Sequence, residues 1–142
     1  MTNAKPETRS LVIEREFSCP PEKLWRALTQ PHLIEEWLMK NDFRADVGHS
    51  FTFRIDPPQP NWNGVVDCKV LEVEPQKTLS YTWTALGVDT VVTWTLTPTS
   101  AGTQLRMEQS GFRSDQPQAY GGARYGWQNF LGKLEQVLAR AD

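Results

Sequence analysis

AYGGARYGWQNFLGKLEQVLAR, residues 119 to 140, decides how the rest of this chain is read. Trp127, Phe130, Leu131, Leu134, Val137 and Leu138 recur at the i, i+3, i+4, i+7 spacing of one helical face, with Gln128, Lys133, Glu135 and Arg140 on the others. The spacing predicts a helix over 119–140, which at 1.5 Å per residue spans ~33 Å, the scale of a small domain. A helix of that length with one apolar stripe needs a sheet face to cover.

The segments before it supply the sheet. Residues 8–17 alternate as a strand, Leu11, Ile13 and Phe17 against Glu14 and Glu16. Cys19-Pro20-Pro21-Glu22 reads as a helix start, with proline preorganised for the first turn and Glu22 placed to complement the exposed amides. Leu24, Trp25 and Leu28 form its apolar face. Thr29-Gln30-Pro31 ends that helix and begins a second, with Leu33, Ile34 and Trp37 at helical spacing.

From Asp42 to Gly111 the signals are strand and turn. Phe51, Phe53 and Ile55 alternate with Thr52 and Arg54, and the loop PPQPNWNG follows. A strand then runs from Val65 to Val73. Leu79, Tyr81 and Trp83 read as one arm of a hairpin through Gly87, and Val88, Thr90, Val92, Trp94 and Leu96 as the other. Pro98 to Gly102 is a turn, after which Leu105, Met107, Gln109 and Gly111 share a face. Connections this short exclude parallel crossovers, so the sheet is expected to be antiparallel and the class α+β.

Composition narrows the partners. The chain has 142 residues, which suits one domain, residues 1–142, with 1–7 as a flexible N-terminus. Its net charge is -2 and no Lys/Arg stripe marks a nucleic-acid face. MTNAKPETRS lacks the apolar core of a signal peptide and no segment is long and apolar enough for a membrane span, so the expected location is cytoplasmic. Cys19 and Cys68 lack metal-ligand spacing and read as reduced, structural thiols. His32 and His49 have no nucleophile, carboxylate or second ligand at useful spacing, and Glu72 with Glu74 reads as a solvated strand edge. No catalytic residue, metal or cofactor is expected.

The wording of several segments carries a resemblance. Arg15-Glu16-Phe17 before Pro20 to Thr29, Pro31 to Trp37, Gly48 before Phe51-Thr52-Phe53, Val70 to Pro75, Leu79 to Trp83, Gly102-Thr103 and Gly126-Trp127 are together similar to the START-like (SRPBCC, helix-grip) superfamily. Within it, the chain most resembles the activator of Hsp90 ATPase homologue-like domains. The resemblance implies a curved antiparallel sheet of six to seven strands wrapped around the long C-terminal helix, with two short helices between strands 1 and 2. It also implies a hydrophobic cavity between helix and sheet.

Six tryptophans are present, and Trp25, Trp37, Trp83, Trp94 and Trp127 fall at inward positions. They are either an ordinary aromatic core or the walls of a pocket for a planar apolar ligand. On the pocket reading, Trp37, Phe53, Tyr81, Trp83, Trp94, Met107, Trp127 and Phe130 line it, and Tyr81, Thr90 and Gln109 orient what it holds. Those polar groups could instead bond to their neighbours. Leu33 to Lys40 and the PPQPNWNG loop, with Trp62, are expected near the mouth. Arg54 and Arg106 fall on the opposite sheet face.

The leading expectation is binding of a small hydrophobic molecule, aromatic or lipid-like. The alternatives are a stress-related, co-chaperone-like protein-interaction domain and an aromatase- or cyclase-like enzyme using the same cavity. The sequence reads as one domain without the N-terminal partner domain of the full co-chaperone, so direct Hsp90 activation is not expected.

Overall fold

The computed structural model describes residues 8–55, 64–85 and 87–140. The expected flexible N-terminus, and the proline-rich loop up to Asn63 with Trp62, lie outside them. Strand β1 (Thr8–Phe17) is followed by helices α1 (Pro21–Thr29) and α2 (Pro31–Trp37). Strands β2 (Lys40–Asn41), β3 (Ser50–Arg54), β4 (Val65–Glu74), β5 (Thr78–Ala85), β6 (Val88–Thr99) and β7 (Gly102–Arg113) come next, and helix α3 (Pro117–Ala139) closes the order. The strands form one antiparallel sheet in the order β1-β7-β6-β5-β4-β3-β2. This is the α+β helix-grip fold, an open curved sheet with α3 across its concave face.

Proline places the helix starts. Pro21, Pro31 and Pro117 each stand in a first turn, where a missing N–H costs nothing. Gln30 ends α1 and caps α2 with ψ 121°, because a residue before proline is pushed out of the helical region. Pro117 also starts α3 two residues before the stripe suggested.

Two irregularities rephase the sheet. Between β1 and β7, Arg9 pairs with Phe112 and Ser10 with Ser110, leaving Gly111 as a bulge at φ +103°. Leu105, Met107 and Gln109 face inward, and the extra residue then turns Phe112 inward in place of Gly111. Between β4 and β5, Val70 pairs with Tyr81 and Glu72 with Ser80, so Leu71 is passed over and left exposed. The β6–β7 turn is tighter than expected: β6 continues to Thr99, with Pro98 paired to Thr103.

The buried stripe of α3 is Trp127, Leu131, Leu134 and Leu138. Its C-terminal end is tied down by an Arg140–Glu36 ion pair of 2.6 Å and by Lys23 Nζ donating to the Arg140 carbonyl at 3.0 Å. None of residues 117–126 is buried. The first half of α3 is therefore only partly buried: its Tyr120 ring meets Phe112 at 5.5 Å and carries the Arg9 guanidinium at 3.7 Å, while β1 meets the middle of the helix through Arg15 Nη2, which donates to Gln128 Oε1 at 2.9 Å. On the opposite sheet face Arg54 is exposed, and Arg106 pairs with Glu108 at 2.8 Å and with Glu14 at 3.9 Å.

Candidate functional site

Beneath the first half of α3 lies a cleft of about 720 Å³. Trp83 and Ala85 of β5, Val88 of β6, and Gln109 and Phe112 of β7 form its floor. Ala119, Gly122 and Ala123 of α3 form its roof, and Asp115 to Gln118 its rim. A recess of about 230 Å³ continues it inward along Val66, Gly126, Trp127 and Phe130, sharing Trp83, Gln109 and Gly122. The cleft is within the range of small-molecule sites, ~300–1,000 Å³. A hollow of about 270 Å³ at the other end of α3, between Cys19 and Leu138, is smaller and has Phe17 as its one aromatic wall.

The roof is open because of what α3 carries there. A Cβ built on Gly122 meets nothing within 4 Å, and one on Gly126 meets only the Phe130 ring at 3.9 Å. Larger residues on this face would fill the space.

The polar network behind the floor is closed and directed. Trp127 Nε1 donates to Gln109 Oε1 at 2.7 Å, Gln109 Nε2 donates to Thr90 Oγ1 at 2.9 Å, and Thr90 Oγ1 donates to the Trp83 carbonyl at 2.9 Å. An indole nitrogen only donates and a carbonyl only accepts, so both ends fix the sense of the chain and the orientation of the amide. Separately, Trp94 Nε1 donates to Tyr81 Oη at 2.9 Å and Trp37 Nε1 to the Ala27 carbonyl at 2.8 Å.

The structure thus divides the expected lining residues into two groups. Trp83, Gln109, Trp127 and Phe130 border the cleft and its recess. Trp37, Phe53, Tyr81, Trp94 and Met107 lie deeper, between 0% and 3% exposed, and pack against one another and against Trp127. Thr90, also buried, stands behind the floor as the middle link of the network. Tyr81 and Thr90 spend their expected polar roles on Trp94 and on Trp83 and Gln109. Leu33 to Lys40 do not border the cleft, and Ile34, Trp37, Leu38 and Met39 are buried. Val66, Ala85, Val88, Phe112, Ala119, Gly122 and Ala123 were not anticipated. The glycines at 121, 122 and 126, each unfavourable in a helix interior, were the available signal.

Burial pushes the Cys68 thiol well up, reinforced by the charges of Asp67 and Asp42. It pushes the Tyr81 phenol up as well, against the hydrogen bond from Trp94. Cys19 is also raised by burial, with Lys23 acting the other way. None of these is a nucleophile prepared for neutral pH. Among the described residues, no group of three or more His, Cys, Asp or Glu could hold a metal ion. No helix among them is long and apolar enough to cross a membrane.

The sequence model of a family described as activator of Hsp90 ATPase homolog 1-like protein matches residues 18–139. Protein MLL2253 from Mesorhizobium loti is similar at 62% identity and a TM-score of 0.88, over 94% of this chain and 99% of that one. Protein CV1439 from Chromobacterium violaceum is similar at 25% identity and a TM-score of 0.76, over 93% and 99%. DynU16, a protein of the dynemicin biosynthetic locus, is similar at 25% identity and a TM-score of 0.78, over 91% of this chain and 46% of that longer one. No curated protein matches the chain.

Proposed function

The chain belongs to the activator of Hsp90 ATPase homologue 1-like family, and from that premise we propose that it binds a small, largely hydrophobic molecule in the cleft beneath residues 117–130. The observation that carries the reading is the cleft itself, about 720 Å³ walled by Trp83 and Phe112 and roofed by glycine and alanine. An apolar-walled concave space of this size, with a few polar groups beside it, has the character of a small-molecule site. The similarity to a protein of a biosynthetic locus favours a small molecule over a macromolecule as the occupant.

Affinity follows from apolar burial. Enclosing a planar ligand removes about 400 Å² of apolar surface from water, ligand and cleft together, which contributes ~10 kcal/mol. Lost translation and rotation offset at least ~4 kcal/mol of it, leaving a Kd of ~40 μM or weaker. Chemical-shift titration suits that range. With an isotope-labelled protein and a library of planar aromatics, fatty acids and sterols, the indole resonances of Trp83 and Trp127 should shift saturably while Trp37 stays still. Silence at Trp83 and Trp127 across the library would overturn the reading and turn attention to a protein partner.

A further inference from the structure

Among the described residues, the three buried indoles, Trp37, Trp94 and Trp127, each donate to a protein acceptor. Trp83 does not. Its Nε1 meets no acceptor among the described residues, and it is not one of the polar atoms sealed from solvent without a partner. Trp83 is half-buried, held between the rings of Phe53 at 5.3 Å and Trp127 at 5.1 Å, and the open space it borders is the cleft. Trp25, the other half-buried indole among the described residues, does not border it. Gln109 adds one more donor: Oε1 and one amide hydrogen are committed to Trp127 and Thr90, and the second amide hydrogen is not.

Charge bears on the same point. Among the described residues, no Lys, Arg or His borders the cleft or its recess. The one ionic group among the described lining residues is Asp115 at the rim, which already accepts from Arg113 Nε at 3.1 Å. A carboxylate ligand would leave water for an apolar space with no free countercharge, since the Arg113 guanidinium beside the rim is already paired with Asp115. A neutral oxygen acceptor meets no such obstacle.

We propose that Trp83 is the specificity-determining residue of the cleft, its indole N–H donating to an acceptor oxygen on a neutral planar ligand of the ketone or quinone type. This rests on the cleft reading above. It assigns recognition to a strand residue on the floor and leaves Gln109 chiefly to hold Trp127 in place.

Three probes of one ring system test it: 9-fluorenone, fluorene and fluorene-2-carboxylate, each titrated into labelled protein at neutral pH. The expected order is fluorenone tightest, fluorene about five- to tenfold weaker for want of one hydrogen bond, and the carboxylate weakest. Fluorenone alone should move the Trp83 indole proton downfield and slow its exchange with water, a readout that needs no variant. Trp83→Phe keeps a ring and removes the N–H, so the fluorenone-to-fluorene affinity ratio should fall to near one. Equal affinities for fluorenone and fluorene, a ratio unmoved by W83F, or tightest binding by the carboxylate would each overturn the inference while leaving the cleft reading intact. Failure of all three probes to shift Trp83 or Trp127 would overturn both.

Discussion

At the scale of single residues, the most consequential group is Gln109, whose amide is spent on the Trp127 indole and the Thr90 hydroxyl. Gln109→Leu leaves a buried indole N–H without an acceptor, and is expected to cost about 2–3 kcal/mol in chemical denaturation while freeing the Trp127 ring to reorient. Cys68 and Tyr81 predict a pH dependence. Both are acids whose folded pKa lies above the ordinary values of 9.0 and 10.0, so the folded state holds protons that the unfolded chain releases. Their contribution to stability is whole below pH ~9 and declines as pH rises beyond it, by up to 1.4 kcal/mol per pH unit for each group. Urea melts between pH 7 and 11 should show that fall, and Cys68→Ala should make it shallower just above pH 9, where the buried Cys19 thiol still contributes. The polar residues at 81, 90 and 109 were legible in the sequence as inward-facing. Their partners were not, because a hydrogen bond spanning 18 or 19 positions depends on how strands and helix are brought together.

Among the elements, α3 joins two unlike halves. Its second half is buried by a leucine stripe that periodicity alone reveals, whereas its first half carries glycine where a stripe would continue. A Cβ on Gly121 or Gly122 meets no atom within 4 Å, so Gly121→Ala and Gly122→Ala should each stabilise the protein by up to about 1 kcal/mol, read as a rise in Tm. Only Gly122 borders the cleft, so Gly122→Ala alone should also weaken fluorenone binding. Equal binding by the two variants would remove Gly122 from the roof. The turn between β6 and β7 makes the opposite point about glycine. A Cβ on Gly102 would lie 2.1 Å from the Phe17 carbonyl oxygen at φ +154°, so Gly102→Ala should destabilise by at least ~2 kcal/mol. The longer strands were read nearly to their ends, yet the two-residue β2 and the bulge at Gly111 were not, and it is the bulge that presents Phe112 to the cleft.

For the molecule as a whole, the sheet, α1, α2 and the second half of α3 share one aromatic and aliphatic core, and the first half of α3 has no buried residue before Trp127. Stability should follow that division. Amide exchange is expected to be markedly faster over residues 117–126 than over 131–138, and a bound planar ligand should slow the first segment while leaving the second unchanged. Uniform protection along α3 would contradict the division. The order of elements, the antiparallel sheet and the inward face of the closing helix were determined by the sequence itself, because each rests on a period of two or about 3.6 residues within a short window. Which aromatic side chains pack the core and which wall the cleft was decided only in the tertiary structure. That choice depends on a bulge that shifts the phase of β7, on hydrogen bonds between residues remote in sequence, and on the gap between a glycine-bearing helix and a curved sheet.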